Sequence, residues 1–476
     1  MLLIAFGRFA QFFLIFATIK VSTTLLPPEE MAKVFLVASI VAFYALLLLN
    51  PVGMFMNRRL HVWNAVGKVQ HYYNYFWLYL LTVCGVAIAS LWIFVETGWV
   101  SIHTTTALTL LLVGGSLLFT TVNQVVIPGL NLLGYRGWFV ALTLATGAMS
   151  LVAAIIFVIG FAPRAENWII GLLLGQLVFA ALGWKIFFTK LNVQDVLQKP
   201  TKQHINALID FAWPISIAVG LGWMQTQSYR FMMESSLGLH ALGLFAAGYG
   251  ISAGIISAFE SVFTTYLQPT FYKNIANDNK LKQSEAWSDY AGAIFPSLIL
   301  VGSVILATAP ELTRAMLGSE YWSSFQFIGW GVGAELARVA SGVYGMVAHA
   351  RMKTRLLITP SLVGASLSIT LIWLLMSKQG SNGVGAALML SSVTTFILTY
   401  VFTRKELTVK LPKKMLIMSL SMGLVLILLA EILRRENGSI GSLFVVVAQL
   451  FIVGIIFFLF QYILIRPLLH GNKTHE

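Results

Sequence analysis

The chain has little charge. Of its 476 residues only 10% are charged, whereas 58% are hydrophobic. A soluble domain carries roughly 25% charged residues, so this composition excludes an ordinary soluble protein. Most of the chain is therefore expected to face lipid or to lie in buried helices.

Cysteine is almost absent. The single residue, Cys84, lies in an apolar run, which excludes an intramolecular disulfide, and no metal-ligand spacing occurs. We therefore expect no metal and no cofactor. No long hydrophilic block and no glycine-rich nucleotide motif interrupts the apolar runs, so we expect no soluble enzymatic domain. No charged stretch or clear cleavage site marks a signal peptide, and residues 1–26 are predicted to be a retained first span.

Acidic residues are also scarce, with 18 Asp and Glu against 31 Lys and Arg, which gives a net charge of +13. In a soluble protein this excess would suggest nucleic acid. Here it indicates loops on the cytoplasmic side of a membrane, where Lys and Arg accumulate. We expect no nucleic-acid partner.

Long apolar runs are abundant. A spanning helix needs about 20 mostly apolar residues. The sequence predicts an all-α, polytopic integral membrane protein with about fourteen such helices: 2–26, 32–55, 72–95, 104–128, 138–161, 168–188, 211–233, 242–268, 287–309, 324–348, 355–377, 384–403, 415–433 and 441–465.

The loops between these runs separate by charge. One alternate set holds 21 of the 31 cations and the other holds six. By the positive-inside rule the first set is cytoplasmic, and both termini then lie in the cytoplasm. The longest cytoplasmic connection suggests two pseudo-symmetric six-helix lobes. The predicted parts are an N-terminal lobe at 1–190, a linker at 191–210, a C-terminal lobe at 211–405, and two further helices with a cytoplasmic tail at 406–476.

Four cations fall inside predicted spans: Arg8, Lys20, Arg230 and Arg338. Lys20 and Arg230 each end a long apolar run, and a Phe that opens the next run follows each of them fifteen residues later. A charge in hydrocarbon is costly and usually faces a cavity or a partner. Its duplication 210 residues apart suggests a two-fold transporter built around an anionic substrate.

Several segments resemble the polysaccharide-unit flippase family of the multidrug/oligosaccharidyl-lipid/polysaccharide exporter superfamily. The segment FAWPISIAVGLGWMQTQSYR contains Pro214 and the pair Tyr229-Arg230, and Gly-Leu-Phe and LQPTFY follow it. LLPPEEMAKVFLVASIVAFYALLLLNPVGMFMNRR resembles the family's first hairpin loop and second span. The chain departs from the family at Tyr229, where an acidic residue is common.

The resemblance implies two lobes around a central cavity that opens alternately to the cytoplasm and the periplasm of a bacterial inner membrane. It implies a polyprenyl-(pyro)phosphate-linked oligosaccharide as substrate, for cell-surface polysaccharide biosynthesis. Membrane lipids, and other membrane proteins of polysaccharide assembly, are the partners it suggests.

Candidate substrate-binding residues follow from that chemistry. Trp223, Thr226, Gln227 and Arg230 are spaced i, i+3, i+4 and i+7, which predicts one helical face. Arg230 could hold phosphate oxygens, Gln227 and Thr226 could bond sugar hydroxyls, and Trp223 could stack on a sugar ring. Alternatively, Arg230 and Lys20 snorkel to the membrane surface and Trp223 packs in the core or against lipid.

Other charged residues carry two interpretations each. Arg58 and Arg59 end the second span and are either positive-inside anchors or a first capture point for the lipid-linked anion. Glu335 and Arg338, three residues apart, are predicted to pair on one helical face, either as a buried structural ion pair or as part of a coupling site. Glu260 could carry a coupling proton or make a structural hydrogen bond.

Three rival functions remain open at this stage. An ion-coupled exporter of small molecules from the same superfamily would favour acidic residues in the first six spans, which contain none. A membrane polysaccharide polymerase or glycosyltransferase would need catalytic carboxylates or histidines, usually in a sizeable loop. A structural scaffold of a polysaccharide complex is the third. We predict a transporter that is not an enzyme.

Overall fold

The computed structural model describes residues 2–98, 105–191, 202–275, 280–351, 353–407, 411–436 and 451–462. Every regular element in these ranges is helical. Long α-helices dominate because the apolar runs satisfy their backbone hydrogen bonds internally, which lipid demands of any segment that crosses it.

The first helices are α1 (Leu2–Leu25), α2 (Pro28–Tyr44), a π-helical turn (Ala45–Leu49), α3 (Asn50–Ala65), α4 (Val69–Glu96), α5 (Thr106–Leu132), α6 (Arg136–Gly160), α7 (Ala165–Thr189) and α8 (Lys202–Gln227). The remainder are α9 (Tyr229–Ile275), α10 (Lys280–Ala307), α11 (Ala309–Met316), a 3₁₀ helix (Ser319–Phe327), α12 (Ile328–Ala350), a second 3₁₀ helix (Thr354–Leu357), α13 (Ile358–Thr403) and α14 (Lys413–Glu436). A short apolar helix also occupies Phe451–Tyr462.

Nine helices of the described residues are long and apolar enough to cross a membrane. Two of them contain two predicted spans each. The run His204–Thr264 covers the spans predicted at 211–233 and 242–268, and Arg355–Thr403 covers those at 355–377 and 384–403. A glycine with positive φ breaks each run, Gly238 at 83° and Gly380 at 56°. The prediction of an all-α, polytopic membrane fold is confirmed.

Some predictions fall partly outside the described residues. Of the last predicted span, 441–465, the structure describes only 451–462, and of the predicted linker it leaves out 192–201. The chain divides into two compact units, Met1–Gly243 and Leu244–Glu476. This division falls within α9, whereas the predicted lobe boundary lies at 191–210. The division into two six-helix lobes joined by a linker therefore stays a prediction.

In the first unit, α6 and α7 pack with their backbones in close approach. A Cβ at Gly171 would collide with the backbone of Ala154, and one at Gly175 with Ser150. Small residues four apart let membrane helices pack this closely. A second contact surface holds α8 against α2, the π-helical turn and α3. Because α8 starts the predicted second lobe, this surface is the one that concerns the candidate site.

In the second unit, α10 packs against α12 and α14, and α12 packs against α13. Trp287 of α10 is fully buried and donates its indole N–H to the carbonyl of Val343, 3.1 Å away in α12. Tyr344 packs edge-on against the Trp287 ring at 5.0 Å. A buried tryptophan with a satisfied N–H fixes the register of two helices, which positions the charged residues of α12.

Candidate functional site

The second predicted span contains the π-helical turn Ala45–Leu49, followed directly by Asn50 and Pro51. Proline has no backbone N–H, so the carbonyl of Leu47, four residues earlier, loses its helical donor. A wider turn accommodates that loss, and such turns are frequent at functional sites. The Tyr79 hydroxyl donates to the carbonyl of Leu48 at 2.9 Å, which satisfies a second acceptor of the turn.

Nearly two turns before the π-helical turn, Ser39 of α2 receives hydrogen bonds from two side chains, one of α8 and one of α9. The indole N–H of Trp223 donates to its carbonyl oxygen at 3.0 Å. Nη1 of Arg230 donates to its hydroxyl oxygen at 2.8 Å and to the carbonyl of Phe35 at 3.1 Å. Ser39 is fully buried. The structure thus brings Trp223 and Arg230 together at one residue, which the sequence did not identify.

The positive charge of Arg230 is not neutralised by a neighbouring carboxylate. No ion pair joins it to an acidic residue among those described. Its Cζ lies 5.3 Å from the ring centroid of Phe35 and 5.7 Å from that of Tyr229. Its Nε donates to the Tyr229 hydroxyl at 3.3 Å, while Nη2 has no hydrogen bond within the described residues. The Nη2 edge of the guanidinium therefore has unused hydrogen-bond donors.

The direction of the Arg230 side chain bears on the snorkelling alternative. Ser39 lies seven residues inside the predicted span 32–55, about 10 Å at the rise of an α-helix. A snorkelling arginine extends toward the nearer membrane surface, whereas this guanidinium bonds two residues within the predicted span. Because the span 32–55 is itself predicted, the position of Arg230 relative to the membrane surface stays a prediction.

The rest of the predicted helical face is less regular. Helix α8 ends at Gln227, so Arg230 belongs to the start of α9. Thr226 donates its hydroxyl to the Gly222 carbonyl of its own helix at 2.8 Å. Gln227 makes no hydrogen bond within the part of the chain that the structure describes. Lys20 is half-buried in α1. The substrate-binding roles of these residues stay predictions.

A cavity of about 550 Å³ lies in the first unit, between α2, the π-helical turn, α5 and α7. Most of its lining is Val, Ala, Leu and Ile, and its polar lining carries no charge: Asn50, Ser116, Thr120, Gln124 and Gln176. The Thr120 hydroxyl donates to the Gln176 side chain at 2.6 Å, and the Asn123 amide donates to the Gln176 carbonyl at 2.9 Å. Asn123 thus bridges helices, while Gln124 is exposed to the cavity.

Arg58 and Arg59 are both exposed on α3. The Arg58 guanidinium carbon lies 5.4 Å from the ring centroid of Phe211 in α8, and that of Arg59 lies 5.8 Å from Phe55. Among the described residues, neither arginine has an ion pair or a hydrogen bond. Both interpretations of this pair, anchor and capture point, are compatible with this placement.

The second unit contains a cluster of two carboxylates around one arginine. Nε of Arg338 donates to Glu335 at 2.6 Å, and Nη2 donates to Glu260 at 2.8 Å. The predicted Glu335–Arg338 pair is therefore present. Glu260 joins it from α9 and also lines a second cavity of about 160 Å³. Two carboxylates share one guanidinium, which leaves the cluster one negative charge in excess when all three groups are ionised.

Sequence reasoning missed Ser39, the π-helical turn, Gln176 and the Glu260–Arg338 contact. A lone serine in the run VFLVASIVAF was the available signal for Ser39. It also missed His240, whose Nδ1 lies 2.7 Å from a carboxylate oxygen of Glu29. Within the described residues, no group of three or more His, Cys, Asp or Glu side chains could hold a metal ion.

The chain shares its fold with solved structures of membrane transporters. No known family's sequence model matches the chain, and no curated protein sequence matches it. Solved structures do. The chain is similar to the lipid II flippase MurJ in an inward closed conformation, with a TM-score of 0.63, 15% identity, and coverage of 98% of this chain and 99% of that one.

It is also similar to a multidrug resistance MATE family transporter of the MOP superfamily. The inward-facing structure gives a TM-score of 0.67 at 13% identity and covers 83% of this chain and 94% of that one. The outward-facing structure gives 0.58 at 11% identity, with coverage of 85% and 92%. At these identities the likeness establishes a shared fold and leaves the substrate undefined.

Proposed function

We propose that the protein is a bacterial inner-membrane transporter that moves a polyprenyl-(pyro)phosphate-linked oligosaccharide from the cytoplasmic to the periplasmic face by alternating access. The observation that carries this proposal is Arg230, a guanidinium held between two helices with no acidic partner among the described residues. An uncompensated cation in a membrane protein calls for an anion, and arginine suits phosphate oxygens.

The other parts of such a substrate have matching surroundings. The sugars are uncharged and rich in hydroxyls, and the cavity beside the π-helical turn offers amide and hydroxyl groups without charge. A side-chain amide can donate a hydrogen bond to a sugar hydroxyl through its NH₂ group or accept one from it through its oxygen. The similarity to MurJ over 98% of this chain supports a substrate that is attached to a lipid.

Substitution of Arg230 tests the proposal. Arg230→Ala should abolish the appearance of glycan at the outer face while membrane abundance stays normal. Arg230→Lys should retain part of the activity, because it keeps the charge and loses the planar fork. Lys20→Ala should lower export in the same direction. The matched control is Arg164→Ala, which removes an exposed cation at the start of α7. Normal export by Arg230→Ala at wild-type abundance would exclude this role.

An ion-coupled exporter of small molecules is the second candidate, since the MATE transporter gives a TM-score of 0.67. Under this alternative the Glu260–Arg338–Glu335 cluster, with its excess negative charge, would be the coupling site. Cells would then lose resistance to cationic drugs on Glu260→Gln and keep it on Arg230→Ala. If the protein is a flippase, Arg230→Ala should instead abolish glycan export, and Glu260→Gln should leave drug resistance unchanged.

We further propose that the protein is not an enzyme and needs no cofactor. The structural neighbours are transporters. Purified protein in lipid should neither hydrolyse ATP nor transfer sugar from a nucleotide donor. Sugar transfer that increases with protein concentration would support the polymerase or glycosyltransferase alternative.

A further inference from the structure

Three predicted spans of the first unit have ends that meet in one aromatic cluster. The second span is predicted to end at Phe55, the third to begin at Tyr72 and the seventh to begin at Phe211. The structure brings these residues into one row of rings. Neighbouring ring centroids are 5.7 Å apart for Phe211–Phe55, 6.3 Å for Phe55–Trp63, 4.2 Å for Trp63–Tyr72 and 5.7 Å for Tyr72–His204.

The agreement of three predicted span ends indicates the depth of this row. Span ends mark the border between hydrocarbon and headgroups, where Trp and Tyr are enriched. Arg58 lies three residues beyond the predicted end of the second span, about 5 Å along the helix axis. The headgroup zone on each side of a bilayer is about 5–7 Å thick. The span map therefore predicts headgroup depth for the two arginines, which contact the first rings of the row.

The rings hold the arginines without using their hydrogen-bond donors. Each guanidinium carbon lies within 6 Å of a ring centroid, Arg58 at 5.4 Å over Phe211 and Arg59 at 5.8 Å over Phe55. A cation over a ring face is attracted by the ring quadrupole and keeps its N–H groups free. Within the described ranges neither arginine bonds a protein acceptor. Guanidinium groups with unused donors can each donate charge-assisted hydrogen bonds to phosphate oxygens.

At the other end of the row are groups that can donate to an ester or phosphate oxygen. The Tyr72 hydroxyl lies 3.5 Å from Nε2 of the exposed His204. Trp63, buried between Phe55 and Tyr72, stacks on Tyr72 with an interplanar angle of 18°. The site thus has a charged end and an apolar row with a polar terminus, a combination that an amphipathic ligand fills and a small soluble anion does not.

We propose that Arg58 and Arg59, with the ring row from Phe211 to His204, form a binding site for the phosphate headgroup of an anionic membrane lipid. The arginines bond the phosphate, while the half-buried rings of Phe55, Tyr72 and Phe211 contact the glycerol and the upper part of the acyl chains, and buried Trp63 holds Phe55 and Tyr72 in place. The predicted orientation places this end in the cytoplasmic leaflet, which carries anionic lipid. The proposal does not rest on the transport activity.

Native mass spectrometry of the purified full-length protein tests this site. Phosphatidylglycerol should be retained more strongly than phosphatidylcholine. The double variant Arg58→Gln/Arg59→Gln should weaken phosphatidylglycerol retention about tenfold or more, as expected from the loss of charge-assisted hydrogen bonds worth about 1.5 kcal/mol or more. Arg58→Lys/Arg59→Lys should also weaken it, because lysine keeps the charge and loses the fork.

The matched control is Lys190→Gln. Lys190 is also exposed and lies 5.6 Å from the ring centroid of Tyr135, a ring that contacts no other aromatic ring among the described residues. Equal loss of retention in Lys190→Gln, or full retention in the double lysine variant, would overturn the site in favour of general electrostatic attraction. Displacement of the lipid by millimolar inorganic phosphate would overturn the lipid as ligand. Unchanged size-exclusion profiles and melting temperatures establish that the variants fold.

Discussion

At the scale of single residues, Ser39 connects the two side chains on which the proposed function depends. Its carbonyl accepts from Trp223, whereas its hydroxyl accepts from Arg230. The hydroxyl also donates to the Phe35 carbonyl at 2.9 Å. Because the two contacts use different atoms of one residue, substitutions can separate them.

We expect Ser39→Ala to couple energetically with Arg230→Gln and to add independently to Trp223→Phe. The alanine removes only the hydroxyl, so the Trp223 bond to the backbone persists. Loss of a hydrogen bond to a charged group costs about 1.5–3 kcal/mol. Melting temperatures of the single and double variants in one detergent measure the coupling. Additive shifts for the Ser39–Arg230 pair would mean that their contact contributes nothing.

The cluster around Arg338 predicts an order of destabilisation. Arg338→Met leaves two carboxylates facing each other without a cation. Breaking a buried ion pair costs about 3–5 kcal/mol, and the cost here is smaller because the Arg338 side chain is 38% exposed to solvent screening. Glu260→Gln leaves a one-to-one pair with Glu335, and the Glu260 side chain is 28% exposed against 8% for Glu335. We expect Arg338→Met to lower the melting temperature most and Glu260→Gln least. A larger drop for Glu260→Gln would show that the excess negative charge is not costly.

At the scale of helices, the sequence predicted where apolar runs lie more reliably than where helices break. The spans at 211–233 and 242–268 were inferred from hydropathy, and the structure separates them at Gly238. The π-helical turn was not predicted, because a wide turn has no apolar period of its own. Glu335–Arg338 was predictable from its i, i+3 spacing. Glu260 was not, because its contact with Arg338 depends on how α9 packs against α12.

Gly238 should tolerate no other residue well. Its φ of 83° lies in the left-handed region, and a Cβ there would meet no atom within 4 Å. With its ψ of 172° this conformation is nearly restricted to glycine, so Gly238→Ala costs backbone strain alone, about 1–3 kcal/mol. Gly222, which also has open space around it, is helical and provides the control. Gly222→Ala should be neutral or stabilising. Equal melting temperatures for the two variants would refute a strained turn at 238.

At the scale of the whole molecule, composition was sufficient for the fold class, because lipid permits only structures that satisfy their own backbone. It was insufficient for the site. Arg230 was singled out by its charge, yet its binding partners on α2 lie 191 and 195 residues away in sequence. Contacts of that range follow from packing, which a single sequence does not encode in any local pattern.

The topology can be tested independently of absolute orientation. Three apolar helices, Val69–Glu96, Thr106–Leu132 and Arg136–Gly160, separate the exposed residues Val66 and Pro163. An odd number of crossings puts these two positions on opposite sides of the membrane. In a Cys84→Ala background, Val66→Cys should react with an impermeant thiol reagent only after permeabilisation, since its loop belongs to the cation-rich set. Pro163→Cys should react in intact cells. Labelling of both from one side would mean that one of the three helices does not cross.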